Sequence, residues 1–351
     1  MTTATMIFTI LMVTAVHSLT TGNHTLNITS KDFGTVARRF LITNIPSLSS
    51  SSPSPIVLGL HGQSNSPESW GPADQFTALA QQHGWLMVFP AAIWEKRMSD
   101  GQSDSTWNCG TQDDDSVCVA ETTGTQCLES CHKLGKCQGR CNWATCHDDL
   151  GFIDQLLILL ESRFSHSNSN SAAAPAAQHP IFLVGESNGG MFIHHLIQEF
   201  PGRFLAAAPA FGLPLLGYMV GSQYQLVANR ELSSKTSILQ LHDRSDTVIP
   251  WQGGESAAGW LYESLNRSLG VWSSIHGCQV GNGPVDNNSS FNGGPTNVRC
   301  RSFEGCEGQH SFVGWCMYDG NHGEWPEQPR GDNLVASFFL KVLSDFRMYI
   351  L

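Results

Sequence analysis

Short, unbroken apolar runs alternate along this chain with longer segments of helical periodicity. "PIVLGL" (Pro55–Leu60), "WLMVFP" (Trp85–Pro90), "IFLV" (Ile181–Val184) and "SILQLH" (Ser237–His242) each read as a strand buried on both faces. Between them, "FTALAQQHG" (Phe76–Gly84) has a helical pattern closed by glycine. "DDLGFIDQLLILLESRF" (Asp148–Phe164) predicts an amphipathic helix with an acidic first turn. A helix is expected after the serine-containing turn that follows Val184, and another near Gly259–Leu269. A late strand ends near Tyr318, and "NLVASFFLKVLSDF" (Asn333–Phe346) predicts a closing helix. Strands that alternate with helices specify the α/β class, with a mostly parallel sheet covered by helices on both faces. The Ser- and Pro-rich stretch Pro46–Pro55 and the low-complexity stretch Ser165–Pro180 read as surface loops. One domain over residues 30–347 accommodates the whole pattern.

The ends of the chain and its cysteines add a compartment. Met6–Val16 is an apolar and hydroxyl run too short to span a bilayer, but it suits a signal peptide. Small residues at Val16 and Ser18 place cleavage after Ser18, so residues 1–18 are expected to be removed. No later run reaches transmembrane length, which predicts release without a membrane anchor. Sequons at Asn23, Asn27, Asn266, Asn287 and Asn288 agree with secretion. Of the 11 cysteines in the 351 residues, seven lie in an insertion over residues 107–147. Dense cysteines in a secreted chain read as disulfides, and the insertion has no C-x2-C knuckle for zinc. Its centre, "CLESCHKLGKCQGRC", fits two short helices stapled by nested bridges, Cys127 to Cys141 and Cys131 to Cys137. The odd total leaves one cysteine free or bonded to another chain. A net charge of −11 gives no electrostatic reason to bind nucleic acid or an anionic membrane.

The chemistry concentrates in "IFLVGESNGGMF". Gly185-Glu186-Ser187-Asn188-Gly189 matches G-x-S-x-G in its required context, after a strand and before a helix. That corner presents a serine hydroxyl at the sheet edge, while the N–H of Asn188 at the helix start stabilises a developing oxyanion. A serine needs a base, and the base needs an orienting acid. "SILQLH" runs into "DRSDTVIP", which offers Asp243 and Asp246, and "DGNHGEWP" offers His322 after the last strand. His310 and His242 are the alternative bases. The turn His61-Gly62-Gln63 after an early strand offers a second oxyanion donor, the N–H of Gln63, with His61 as a buttress. Trp251 and Trp325, just past the acid and the base, are candidate pocket walls for substrate binding.

Seven separated motifs run in order: "LHGQ" at Leu60, "WNCG" at Trp107, "DDLGF" at Asp148, "GESNGGMF" at Gly185, "HDRSDTVIP" at His242, "HGC" at His276 and "NHGEWP" at Asn321. In these the chain resembles the secreted polyhydroxybutyrate depolymerase-like esterases of the α/β-hydrolase fold, a family that also contains feruloyl and acetylxylan esterases. The resemblance implies Ser187 as nucleophile, Asp246 rather than Asp243 as acid, and His322 as base, with no metal or organic cofactor. It implies an ester substrate, either short hydroxyacyl oligomers and small esters or feruloylated and acetylated polysaccharide. Asp243 and Asn321 stand where the family has glycine, and the cysteine insertion is larger than its norm. By chain order the insertion is expected to rim the pocket. A catalytically silent binding protein on the same scaffold is the competing class.

Overall fold

The computed structural model describes residues 19–47, 53–110, 127–137, 145–164, 179–216, 236–256, 259–279, 298–307 and 311–348. The expected signal peptide, Asn287, Asn288, His310, Cys118 and Cys141 lie outside these residues, as does nearly all of the Ser165–Pro180 loop.

The apolar runs build the middle of a nine-stranded sheet. In chain order its strands are β1 (Gly22–Ser30), β2 (Gly34–Asn44), β3 (Ile56–Leu60), β4 (Leu86–Pro90), β7 (Ile181–Glu186), β8 (Ala206–Ala210), β9 (Ser237–Asp243), β12 (Arg299–Ser302) and β13 (Val313–Tyr318). In space the order is β1-β2-β4-β3-β7-β8-β9-β13-β12. The strands from β4 to β13 in that order pair in parallel, while β1, β2 and β12 add antiparallel edges. β3, β4 and β7 to β9 are buried at every residue, which is why they read as continuous hydrophobic runs. Two short ribbons, β5 (Trp94–Lys96) with β6 (Ser103–Ser105) and β10 (Gly254–Glu255) with β11 (Leu261–Tyr262), lie outside this sheet.

Helices cover both faces. α3 (Asp149–Phe164), α4 (Asn188–Glu199) and α5 (Leu265–Ile275) contribute to one core through Phe152, Leu156, Phe192, Leu196 and Trp272. α1 (Ala73–His83) and α6 (Gly331–Met348) contribute to the other through Phe76, Leu79 and Phe339. Gly84 ends α1 in the left-handed conformation, as the sequence predicts. The helix expected near Gly259–Leu269 instead spans Leu265–Ile275, because the Ser264 hydroxyl caps it by accepting from Arg267 N at 3.1 Å. The arrangement is an α/β-hydrolase fold. The path from β3 runs outward to β4 and then returns across β3 to β7, so the ends of β3 and β7 flank the switch point where α/β sites form.

The insertion departs from the expected nested bridges. Cys127 bonds Cys137 and Cys131 bonds Cys146, a crossed pattern. A single short helix, α2 (Glu129–Lys133), forms there among the described residues. The chain reverses at Gly135, φ 67°, and brings Cys137 back to Cys127. Cys146, just ahead of α3, then takes Cys131. Two further bridges, Cys278–Cys306 and Cys300–Cys316, tie the β12 edge. Cys109 is buried with a free thiol. The described part of the insertion packs on β5, where Glu95 accepts from Ser130 N at 2.7 Å and from the Thr145 hydroxyl. None of its described residues lines either of the two cavities considered below; the rest of the insertion, on which the expectation that it rims the pocket falls, lies outside the described residues. Asn23 and Asn27 project from the exposed face of edge strand β1.

Candidate active site

Strand β7 delivers Ser187 to a sharp corner. Its φ of 50° and ψ of −122° are a conformation that L-residues avoid, at a cost of about 1–3 kcal/mol. The surroundings over-determine it. Ser187 N donates to Ala210 O at 2.9 Å, and Met191 N donates back to Ser187 O at 2.9 Å. The flanking glycines are required by contact. A Cβ on Gly185 would sit 2.8 Å from Leu60 O, and one on Gly189 would sit 2.3 Å from the same oxygen. The helix therefore starts hard against the end of β3, which leaves the serine Oγ at the sheet edge.

His322 reaches this corner from the irregular turn between β13 and α6. Its Nε2 lies 2.9 Å from Ser187 Oγ, and its Nδ1 lies 2.8 Å from Asp246 Oδ2. The Nδ1 proton then goes to Asp246, and Nε2 is left to accept from the serine. Asp246 is buried, and its Oδ1 accepts from Val248 N at 2.9 Å and Ile249 N at 2.8 Å. A carboxylate held by two backbone donors keeps its orientation. Phe211, itself at φ 33°, packs edge-on against the His322 ring at 5.4 Å.

The same geometry separates the alternatives left open by the sequence. Asp243 bonds backbone N–H groups instead of His322. Its Oδ1 accepts from Ser245 N at 2.9 Å and Gly320 N at 3.0 Å, bracing the turn that carries His322. Burial raises its carboxyl above the usual range. His242 is fully buried and its Nε2 donates to Ile249 O at 2.8 Å, and burial lowers it to about 4. It remains neutral beside Asp246, at 3.7 Å. His61 likewise falls to about 4 through burial. Its Nδ1 donates to Gly62 O at 2.8 Å and its Nε2 accepts from Ala92 N at 3.1 Å, so it holds the β3 turn from behind.

The two candidate oxyanion donors, Asn188 and Gln63, sit on different segments. Asn188 is the first residue of α4, so its N–H has no acceptor within the helix. Its side-chain oxygen accepts from Trp107 N at 2.6 Å, which ties the start of the insertion to the elbow. Gly62 and Gln63 line the same small cavity as Ser187 and His322. Their turn is fixed by Asp104, a buried β6 residue that sequence reading missed. Asp104 accepts from Gln63 Nε2 at 2.7 Å, Ser64 Oγ at 2.5 Å and Ser105 N at 2.8 Å. Cys109 is no rival nucleophile, because burial pushes its thiol up and keeps it protonated.

Two cavities meet here. The smaller, about 250 Å³, holds Ser187 and His322 and has an apolar wall of Phe211, Val248, Ile249 and Tyr262. The larger, about 730 Å³, extends past Trp325 toward Glu327 and Arg330. Asn65, Glu186 and Gly323 line both. Glu186 is a second residue missed in the sequence. It is buried, and its Oε2 accepts from Trp325 Nε1 at 2.7 Å. Burial raises its carboxyl, while the Trp325 bond and nearby His322 act in the opposite sense. Trp325 lines the larger cavity. Trp251 does not: it packs into the core behind α5, where Leu265 N donates to its carbonyl at 2.8 Å. Ile249, two residues earlier, lines the small cavity instead.

Comparison with known proteins gives structural likeness at low sequence identity. The acetyl xylan esterase from Aspergillus awamori is 14% identical, with 86% of this chain and 94% of that chain covered and a TM-score of 0.46. Est1E from Butyrivibrio proteoclasticus is 10% identical, with coverage of 91% and 99% and a TM-score of 0.43. Acyl-protein thioesterase 2 from Zea mays is 12% identical, with coverage of 87% and 98% and a TM-score of 0.44. No protein-family model and no curated protein matches the chain. Likeness at this level assigns neither family nor substrate.

Proposed function

We propose that this protein is a serine carboxylic-ester hydrolase with Ser187 as nucleophile, His322 as general base and Asp246 as the orienting acid. The observation that carries the reading is the unbroken chain of hydrogen bonds from Ser187 Oγ through His322 to Asp246, at a serine held in a strained corner. Ser187 attacks the ester carbonyl while His322 Nε2 takes its proton. Asp246 stabilises the imidazolium. The N–H groups of Asn188 and Gln63 receive the oxyanion, a contact whose loss typically costs about 3–4 kcal/mol. His322 then protonates the leaving alcohol, and water, deprotonated by the same histidine, releases the acid from the acyl-enzyme. No cofactor enters these steps. A silent binding scaffold gives no reason to retain a strained serine with an aligned base, so the hydrolase reading is preferred.

The ordered motifs favour a secreted polyhydroxybutyrate depolymerase-like enzyme acting on short hydroxyacyl oligomers or small esters. The disulfides support an oxidising compartment. Among the described residues no helix is long and apolar enough to cross a membrane. A second reading, feruloyl or acetylxylan esterase, draws support from the larger cavity, whose amides and Trp325 suit a sugar ring. A fluorophosphonate probe followed by peptide mapping tests the core claim. Labelling is expected at Ser187, and labelling at a different serine overturns the assignment. Hydroxybutyrate oligomers, feruloylated sugars, acetylated xylan and p-nitrophenyl esters then rank the two substrate readings.

A further inference from the structure

The leaving alcohol must depart on the side of His322, because His322 Nε2 delivers its proton. Gly323, the next residue, lines the small cavity and the large one alike, so the large cavity opens on that side. The acyl group is left with the small cavity and its apolar wall. At about 250 Å³, shared with the reacting atoms, this chamber suits a short acyl chain.

The charges around the large cavity are unequal. Its charged lining residues are Glu186, Glu327, Arg330 and Asp332. Arg330 pairs with Asp332 through two bonds of 2.9 Å, Nε to Oδ1 and a terminal nitrogen to Oδ2, and the two charges cancel. Glu186 and Glu327 remain, and among the described lining residues no second cation answers them. Glu186 sits at the boundary, one residue before the nucleophile, with its carboxyl anchored by the Trp325 indole. An anion entering the cavity would meet this carboxyl in a partly desolvated setting, where repulsion is weakly screened.

We infer that Glu186 is a specificity-determining residue, and that the enzyme takes esters of neutral or cationic alcohols and rejects esters whose alcohol carries a carboxylate. This inference rests on the proposed serine-hydrolase reading and sharpens it. In a free hydroxyacyl dimer the leaving alcohol bears the terminal carboxylate. Such a dimer is therefore a poor substrate, while an oligomer cleaved away from that end, or an ester of an uncharged polyol, is a good one.

Acetate release from two matched pairs tests this. The first is 3-acetoxybutyrate and its amide; the second is acetylcholine and 3,3-dimethylbutyl acetate. For the wild type, kcat/KM should be about tenfold lower for the carboxylate than for the amide, the scale of one unscreened like-charge contact. The cationic ester should at least equal its neutral partner. High salt should narrow the first gap only in part, because the contact is partly desolvated. Glu186→Gln should remove most of it, whereas Trp325→Phe, which keeps the charge, should preserve the ratio even where the rates fall. Glu327→Gln, at the exposed rim, should narrow the gap slightly and gives a reading independent of the folding of the Glu186 variant. Equal wild-type rates on carboxylate and amide, or a gap unchanged in Glu186→Gln, overturn the inference. Fluorophosphonate labelling of Ser187 with turnover of the neutral amide isolates that failure from the hydrolase reading. Absence of both overturns the two together.

Discussion

The serine and the histidine of this site are positioned by opposite means. Ser187 is held by backbone: a central strand before it, a helix after it, and two glycines pressed against Leu60 O. His322 stands in an irregular turn and is held by side chains from distant segments. Asp246 grips its Nδ1, Phe211 packs on its ring, Asp243 anchors Gly320, and Glu186 anchors Trp325 three residues on. The first arrangement is rigid because many backbone hydrogen bonds must break together to move it. The second is adjustable, because each contact is a single interaction. Chemistry that needs a fixed nucleophile and a base able to accept and return a proton has a use for both.

The comparison breaks most severely at the reacting groups. Ser187→Ala and His322→Ala should each lower kcat by a factor of about 10⁴–10⁶, and Asp246→Asn by less, because the serine and histidine act as a unit. Asp243→Asn should leave a larger residual rate than Asp246→Asn. The reverse ranking of the two aspartates in steady-state assays would contradict the geometry.

The two supports should fail differently when the chemistry is left alone. Gly189→Ala places a Cβ against backbone that cannot rotate away, and should cost about 1–3 kcal/mol of stability in denaturant unfolding. Trp325→Phe should lower kcat about tenfold, since it frees the histidine turn while the core stays intact. A large stability loss for Trp325→Phe with unchanged kcat would show that the turn needs no such anchor.

Acid should loosen the scaffold before it alters the elbow. Burial holds His61, His194, His195, His242 and His276 at about 4, below their value in an unfolded chain. Depressed histidines stabilise the fold above about pH 6.5, and that stability is lost as the pH falls toward 4, because the unfolded chain takes up the protons first. Each proton contributes a slope of about 1.4 kcal/mol per pH unit. The raised carboxyls of Glu186 and Asp243 act in the opposite direction. Thermal unfolding between pH 7 and 4, read with acid-jump controls on activity, should give a Tm that drops steeply over this window; a flat profile would mean that these histidines are hydrated.

How much of this was legible follows from the range of each interaction. The sheet interior was readable because strands buried on both faces must be continuously apolar, and the elbow because its glycines, serine and helix start are consecutive residues. Position in the chain also singled out His322 and the pair Asp243 and Asp246. Periodicity did not choose between the two aspartates. The resemblance to esterases favoured Asp246; in the fold its carboxylate meets His322, whereas that of Asp243 meets backbone N–H groups. Trp251 shows the limit of adjacency: it follows the acid closely in the chain, yet the turn at Pro250 sends it into the core. Cysteine spacing fixed that bridges form but not their partners, since the crossing of Cys127–Cys137 with Cys131–Cys146 depends on where Gly135 reverses the chain. Asp104 and Glu186 carried no local signal at all. A carboxylate becomes a brace or a selector only when segments far apart in sequence close around it, and that closure is a property of the tertiary structure alone.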